Sequence, residues 1–489
     1  MSSAYVSFDA PLLRKLARPG PRYTSYPTAD RFQSQFGYHD YLAAVAGRRL
    51  HNSAKPLSLY VHIPFCASIC YYCACNKIVT RQPDKAAIYL AYLKREITMQ
   101  ASLFAGMNRV NQLHLGGGTP TYLSDAQMEE LMAHLRRHFV FAPDAEGEYA
   151  IEVDPRTVTL DRIASLRRQG FNRLSLGVQD YDNEVQRAVN RVQPEAQTRA
   201  ILDAARANGY RSVNIDLMYG LPKQTMASMA QTLDKVIEAD PDRIALYHYA
   251  HMPELFKPQR LIHDADMPSA EVKLAMLGLA IARLQDAGYV YIGMDHFARP
   301  HDELAVAQRQ GRLHRNFQGY STHPGADIVA FGVSAIGAVA ATYSQNAKHL
   351  AAYYAGIDAR QLPIERGVAL TIDDALRRAL IGRLMCDFAL PIAAFEQAWP
   401  IVFADYFVRE LAALAALQTE GLVTVTPDAL TVTSKGRMLI RNICMVFDRY
   451  LAPVTPAGCT APCPPPAPAS AAYRAAYKLA WSLPADPAF

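Results

Sequence analysis

Tyr60-Val61-His62-Ile63-Pro64-Phe65-Cys66-Ala67-Ser68-Ile69-Cys70-Tyr71-Tyr72-Cys73-Ala74-Cys75-Asn76-Lys77 is the stretch on which the reading of this chain turns. Half of the chain's eight cysteines fall within it, three of them with the spacing C-x3-C-x2-C. They follow an apolar run, Leu57–Ile63, of the length and composition of a buried strand. A structural zinc site usually takes four nitrogen or sulfur ligands, commonly as two separated pairs. Three thiolates on one tight loop suit a [4Fe–4S] cluster better, because one iron then stays open to another ligand. A small zinc loop or a knot of buried thiols is the alternative, since free cysteine is common in cores. Four cysteines on a loop leaving a strand, bracketed by aromatics, favour the cluster.

Composition bounds the rest. A chain of 489 residues has room for two to four domains and a large core. No apolar run approaches the roughly 20 residues of a membrane span. Met1 to Asp9 lacks the basic start and long apolar segment of a signal peptide. The cysteines form no disulfide framework, which implies a reducing compartment and a cytoplasmic protein. A formal charge of +5 spread along the chain favours a small anionic substrate over nucleic acid.

From Leu57 onward, short apolar strands alternate with long amphipathic stretches. Strands are expected at Leu57–Ile63, Gln112–Leu115, Tyr149–Val153, Arg173–Val178, Ser212–Met218 and Arg243–Tyr249. Helices are expected at Lys85–Gln100, Asp125–His138, Thr159–Gln169, Asn183–Val189, Pro194–Asn208 and Thr225–Ala239. Six such units imply a parallel sheet, doubly wound or curved into a full or partial barrel. Ligands then collect at the carboxyl ends of the strands. Those ends carry Cys66–Cys73, Gly116-Gly117-Gly118-Thr119-Pro120, Glu152-Val153-Asp154-Pro155, Gln179-Asp180, Asp216 and His248-Tyr249-Ala250-His251. The glycines let backbone amides approach a ligand. Glu152 and Asp216 are suited to ribose hydroxyls or an ammonium group, although either alone is as readily a surface ion pair. Gln179 and Arg191 gain meaning only from this neighbourhood.

Outside the six units the signals thin. Residues 1–55 read as an arm with a short helix, and Gly20-Pro21-Arg22-Tyr23-Thr24-Ser25-Tyr26-Pro27-Thr28 must run extended over something, either a core or an active site. Residues 56–366 form the main domain, closing with a strand at Tyr289–Pro300 and a loop-rich section through Asn316–Tyr320 and Phe331–Gly337. Residues 367–452 read as a small, mostly helical, winged-helix-like domain: helices at Ile372–Met385, Pro391–Ala398, Ala404–Glu420 and Lys435–Leu451 enclose a hairpin at 422–433. Its expected role is to cover the barrel. Residues 453–489 are rich in Ala and Pro and read as a disordered tail with a short helix at Ala471–Trp481; Cys459 and Cys463 are incidental.

Taken together, Gly20–Thr28, Tyr60–Cys66 with Cys75, Gly116–Thr121, Ile151–Arg156, Gly177–Asp180, Asn190-Arg191, Asn214–Leu217 and Gly293–Pro300 resemble the oxygen-independent coproporphyrinogen III oxidases of the radical S-adenosylmethionine (SAM) superfamily. The resemblance runs from about Leu13 to Leu451. It implies a partial (β/α)6 barrel with Cys66, Cys70 and Cys73 on one [4Fe–4S] cluster and Cys75 off it. It implies two SAM molecules lined by Tyr60, Tyr72, Gly117, Gly118, Thr119, Glu152, Gln179, Arg191, Asp216, Ala250 and Ile336. The implied reaction turns two propionates of coproporphyrinogen III into vinyl groups, through a 5′-deoxyadenosyl radical that takes a β-hydrogen before CO2 and an electron leave. No residue is implied as catalytic beyond those that bind the cofactors. A low-potential electron donor such as flavodoxin is implied as partner, with no nucleic acid, no membrane and a monomeric state. Arg22 and Arg299 are the expected propionate partners, because a guanidinium pairs a carboxylate bidentately. Tyr72 stands where the family is familiar with Phe, and His248 where Asn is usual. The rivals are a haem-binding chaperone of the same superfamily, another tetrapyrrole-modifying radical SAM enzyme such as a methyltransferase, and a zinc-loop structural protein.

Overall fold

Six strands run parallel in chain order: β1 (Leu57–Ile63), β2 (Arg109–Gly117), β3 (Glu148–Val153), β4 (Arg173–Gln179), β5 (Ser212–Tyr219) and β6 (Arg243–His248). The structure is a computed structural model that describes residues 5–16, 18–50 and 55–451. Helices Pro83–Leu103, Asp125–His138, Leu160–Arg168, Glu195–Ala207 and Met226–Ala239 connect the strands, each expected from the sequence to within a few residues. Side chains alternate between the two faces of each strand. Leu57, Leu59, Val61 and Ile63 of β1 join Leu113, Leu115, Ile151, Val153, Leu174 and Leu176 in one core under the helices. The opposite face is unusually polar: Ser58, Tyr60 and His62, then Gln112 and His114, Glu148 and Glu152, Ser175, Asn214 and Asp216. Parallel strands covered on both faces are normally apolar throughout. This alternation therefore marks the second face as the wall of a ligand-binding interior.

The amino end of that interior is plugged by ion pairs. Asp302, which caps helix Glu303–Arg309, accepts from Arg243 Nε at 2.9 Å and Ser212 Oγ at 3.1 Å, and Glu303 pairs with Arg173 and Arg211. Gln112 Nε2 donates to Glu148 at 2.9 Å in the same layer. With this end closed, the carboxyl ends of the strands remain as the mouth.

The sheet does not close, in keeping with a partial barrel. Beyond β6 it ends in a hairpin, β7 (Val290–Gly293) and β8 (His296–Ala298), with β8 antiparallel to β6. The single strand expected at Tyr289–Pro300 is thus two strands, reversed at Met294 and Asp295, whose φ values of 39° and 68° turn the chain back. Beyond β1 the sheet continues through β9 (Asp327–Phe331), parallel to β1, and then antiparallel β10 (Ile336–Val339), β11 (Thr342–Asn346) and β12 (Ile364–Ala369). The section expected to be loop-rich is therefore sheet. Its strands are short and pair in sequence outward from β1. Because β12 crosses position 366, the helical region begins at Ile372.

In that region helices Ile372–Asp387, Ile392–Ala398 and Val408–Thr419 pack with a three-stranded wing, Ala389–Pro391, Val423–Val425 and Ala429–Val432. The helix expected over Lys435–Leu451 is a single 3-10 turn, Gly436–Leu439, followed by Ile440–Val446. Its last residues leave the helix to hold the arm: Asp448 accepts from Tyr23 Oη at 2.9 Å, and Arg449 N donates to Tyr26 Oη at 3.0 Å. Leu384, Phe388 and Phe447 share one core with Ile215, Leu217 and Ile244 of β5 and β6, so the wing domain closes over the barrel edge. The Pro-rich tail at 453–489, with its expected helix, Cys459 and Cys463, lies outside the described residues. Among the described residues no helix is long and apolar enough to cross a membrane.

Candidate active site

The cysteine loop leaves β1 over the mouth and is held by backbone bonds. Ile78 N donates to Pro64 O at 2.7 Å and Thr80 N to Cys66 O at 3.0 Å. His62 at the strand end bridges Tyr60 Oη at 3.1 Å and Asn76 O at 3.0 Å, tying the far side of the loop to the barrel wall. The glycine segment after β2 lies directly beneath. Gly118 N donates to Ile63 O and Thr119 N to Phe65 O, both at 2.8 Å. A Cβ on Gly118 would stand 2.6 Å from Pro64 O, and one on Gly117, whose φ is +116°, 2.6 Å from the His62 ring. Only glycine lets these two backbones meet.

Cationic and hydroxyl donors face the thiols. Thr119 Oγ1 lies 3.5 Å from Cys66 Sγ, and Arg156 Nη2 and Arg191 Nη1 each lie 3.4 Å from Cys70 Sγ. Both guanidiniums also hold Asp154, at 2.7 and 3.2 Å, and pull its carboxyl below the usual range against the cost of burial. Arg191 Nε is buried without a hydrogen-bond partner among the described residues. Burial raises the Cys66 thiol to about 11. The bond from Cys75 and the charge of Lys77 pull the Cys73 thiol down, while Cys75, exposed at the loop surface, is pushed up by its bond to Cys73. Three thiols with charge-matched partners on a preformed loop fit a cluster. Among the described residues no three His, Cys, Asp or Glu side chains group around a single ion. Thiolates that each take a different iron stand further apart than that.

The acids lie deeper. Glu152 accepts from His114 Nε2 at 3.1 Å and Gly117 N at 3.2 Å, and burial is outweighed by these donors, so its carboxyl sits below the usual range. The His114 ring stacks on Tyr60 at 5.9 Å. Asp216 accepts from Asn214 Nδ2 at 2.8 Å and Ser175 Oγ at 3.0 Å, yet burial and the Glu152 charge raise it to about 6. Native protein therefore holds a proton at Asp216 over a range where the unfolded chain, with a carboxyl near 4, has released it. The Asp216 contribution to stability falls as pH rises from about 4 to about 6. Asp216→Asn is expected to flatten that part of the curve, checked by chemical denaturation at several pH values.

The remaining expected residues divide. Gln179 closes β4 at a bulge with φ of 72°, beside Gly177, where Arg191 also bonds the backbone. Tyr72 is half-buried near Arg191, packed against the cluster that holds Val189 and Tyr249, next to exposed Ala250. Ile336 opens β10, two strands from β1 on the same sheet. Arg22 reaches the mouth, 3.4 Å from Asp295 and over the Tyr247 ring. Arg299 does not. It lies at the plugged amino end, its Nε bonded to Asp240 at 2.7 Å and its guanidinium 3.9 Å above Tyr289. The β7–β8 reversal carries it there, because β8 runs back down β6. His248 ends β6 against Tyr219 with its side chain exposed, and partial desolvation with the nearby charges of Lys273 and Arg22 lowers its pKa. His62, His114, Ser175 and Asn214 also face the interior, although the sequence pointed to none of them directly; their period-two spacing with Tyr60 and Asp216 is the signal that finds them. Arg156 and Asp154 belong to the Ile151–Arg156 motif, and only the fold gives them a role.

A cysteine loop at the mouth of an open parallel barrel, over a glycine turn and paired acids, defines a radical SAM domain. The Radical SAM superfamily model matches residues 60–236, and the HemN C-terminal domain model matches residues 370–439. The oxygen-independent coproporphyrinogen III oxidase of Escherichia coli is 54% identical over 451 residues, covering 92% of this chain and 97% of that protein. The Pseudomonas aeruginosa oxidase is 50% identical over 446 residues, covering 91% and 96%. The solved Escherichia coli coproporphyrinogen III oxidase (HemN), described as a radical SAM enzyme, superposes with a TM-score of 0.87 at 52% identity, covering 91% of this chain and 100% of that one. This chain belongs to the oxygen-independent coproporphyrinogen III oxidase family.

Proposed function

We infer that this protein oxidatively decarboxylates two propionates of coproporphyrinogen III to vinyl groups without oxygen, giving protoporphyrinogen IX for haem synthesis. The observation that carries the reading is the three-thiol loop set over the Gly116–Thr119 backbone and the Glu152 and Asp216 carboxylates, in a chain that matches oxidases of this name along nearly its whole length. When bound, a [4Fe–4S] cluster and SAM supply a radical able to take hydrogen from an unactivated carbon, chemistry that side chains lack.

The chain's own residues do the rest. Cys66, Cys70 and Cys73 are the cluster ligands, with Arg156 and Arg191 balancing their charge. Glu152 and Asp216 offer acceptors to ribose hydroxyls and an ammonium group, and the Gly117–Thr119 segment admits the cofactor at backbone distance. We assign Tyr60, Tyr72, Gln179, Ala250 and Ile336 to the same pocket and take it to hold two SAM molecules. The arm and the wing domain, joined through Tyr23–Asp448 and Tyr26–Arg449, close the mouth and keep water from a reactive centre. A monomer reduced by a low-potential donor such as flavodoxin, in the cytoplasm, fits this arrangement.

Anaerobic reconstitution followed by measurement of released CO2 and product mass tests the reading; loss of two carboxyl groups is expected. Stable haem binding without CO2 release would favour the chaperone, and a gain of methyl groups the methyltransferase. Arg22 is our candidate partner for a reacting propionate, since it stands at the mouth over the Tyr247 ring with its ion pair to Asp295 long at 3.4 Å. Arg22→Ala is expected to raise KM for coproporphyrinogen III about tenfold, the worth of one hydrogen bond to a charged group. Arg299→Ala should leave KM within about twofold, because its side chain is at the opposite end of the strands.

A further inference from the structure

A cavity of about 490 Å³ lies beside the barrel and shares none of the residues assigned above to the cluster or SAM. Its walls are the arm at Tyr23–Tyr26, the hairpin His314–Ser321, strands β9 to β11 and the helix Ile372–Asp387. The volume is that of a small-molecule site. Its charge is one-sided. Arg48, Lys55, Arg315 and Arg378 line it, and Asp327, the one lining carboxylate, is already paired with Arg48. Arg315 is only 9% exposed, and its Nε and Nη1 are buried with no hydrogen-bond partner among the described residues; Arg48 leaves Nη1 in the same state. The Arg315 guanidinium is instead held in place above the Tyr320 ring at 4.6 Å. A buried guanidinium without an acceptor is unfavourable unless an anion completes it. A planar fork of donors fits a carboxylate. Phe317, Ile328 and Tyr343 supply apolar and aromatic wall around these charges.

The reaction adds a reason. Two of four propionates lose their carboxyl groups while the other two are kept, so unreacting carboxylates are available throughout as handles for the macrocycle. Arg315 is placed for this, since its charge also reaches Asp295 and Tyr247, the residues that Arg22 touches at the mouth.

We propose that this lateral cavity is the carboxylate-binding site of the tetrapyrrole, with Arg315 as the anchor of a propionate that does not react and Arg48 and Lys55 behind it. The assignment rests on the substrate class inferred above, and binding alone tests it. The probes are coproporphyrin III, a stable fluorescent tetracarboxylate, and its tetramethyl ester, titrated into the reconstituted full-length protein. Arg315→Ala is expected to weaken coproporphyrin III binding between about tenfold and about a hundredfold and to change ester binding less than about twofold. A second variant guards against misfolding. Gly382 lines the cavity, and a Cβ placed on it would meet nothing within 4 Å, so Gly382→Asp adds a carboxylate without a clash. It should weaken coproporphyrin III binding at least about tenfold by occupying the cations. Wild-type affinity in Gly382→Asp, or equal losses for acid and ester in Arg315→Ala, would overturn the proposal. So would a loss confined to S-adenosylhomocysteine binding, which would assign the cations to the carboxylate of SAM. Failure of CO2 release with the binding difference intact would instead strike the reading of function.

Discussion

Cys66→Ser is expected to abolish CO2 release, a fall of at least about a thousandfold, with iron and acid-labile sulfide lost after reconstitution. The magnitude follows from the chemistry. No side chain at the mouth can break an unactivated carbon–hydrogen bond, so activity without the cluster is background. Serine keeps the shape of the side chain, at slightly smaller volume, but offers a hard, weakly acidic oxygen in place of a thiolate. The backbone bonds that hold the loop, Ile78 N to Pro64 O and Thr80 N to Cys66 O, do not depend on the sulfur, and Thr119 Oγ1 can donate to the serine hydroxyl in its place, so the fold should survive. Cys75→Ser makes the comparison specific: it should keep its iron, since Cys75 stands outside the C-x3-C-x2-C spacing. Retention of full activity in Cys66→Ser, with iron present, would remove the cluster assignment.

The second large effect is expected at Arg191. It ties Cys70 of the loop, Asp154 after β3 and the Gly177 carbonyl on β4, and is 6% exposed. Arg191→Ala leaves Asp154 buried with one of its two cations and Gly177 O without its donor. Breaking a buried ion pair on one side costs about 3–5 kcal/mol. The retained Arg156 fork, bonded to Asp154 at 2.7 Å, should hold the loss near the lower end of that range. Chemical denaturation measures it, and SAM binding by equilibrium dialysis should fall in parallel. Arg191→Lys should recover little, because an ammonium cannot serve three acceptors lying in different directions. A variant as stable as the parent would show that the pair contributes nothing.

Much of this architecture is legible in the chain. Strand β1 and the helix Asp125–His138 match the expected boundaries to the residue, and the other five parallel strands differ only at their ends. The reason is local: apolar runs, alternation, a Ser124 capping box and glycines at strand exits are properties of short segments. What the chain hides is set at a distance. Strands β9 to β12 are too short to be told from loop by local pattern, and their place is set by pairing: β9 on the edge of β1, then β10, β11 and β12 each on the one before. The expected strand at Tyr289–Pro300 is folded back by two residues with positive φ, and that reversal alone moves Arg299 from the mouth to the plugged end.

The same division holds for function. By itself the sequence determined that a thiolate-bound cluster is favoured over a zinc loop, from the C-x3-C-x2-C spacing. Its motifs taken jointly carry the resemblance that implies SAM, whereas the glycine turn and the strand-end acids mean little singly. It also determined the topology of six βα units, which put those residues at one end of a sheet. Only the tertiary structure decided which arginines face the interior. A guanidinium's role depends on what surrounds it, and Arg299 over Tyr289, Arg191 between thiol and carboxylate, and Arg315 buried without an acceptor are the same residue in the chain and three different ones in the fold.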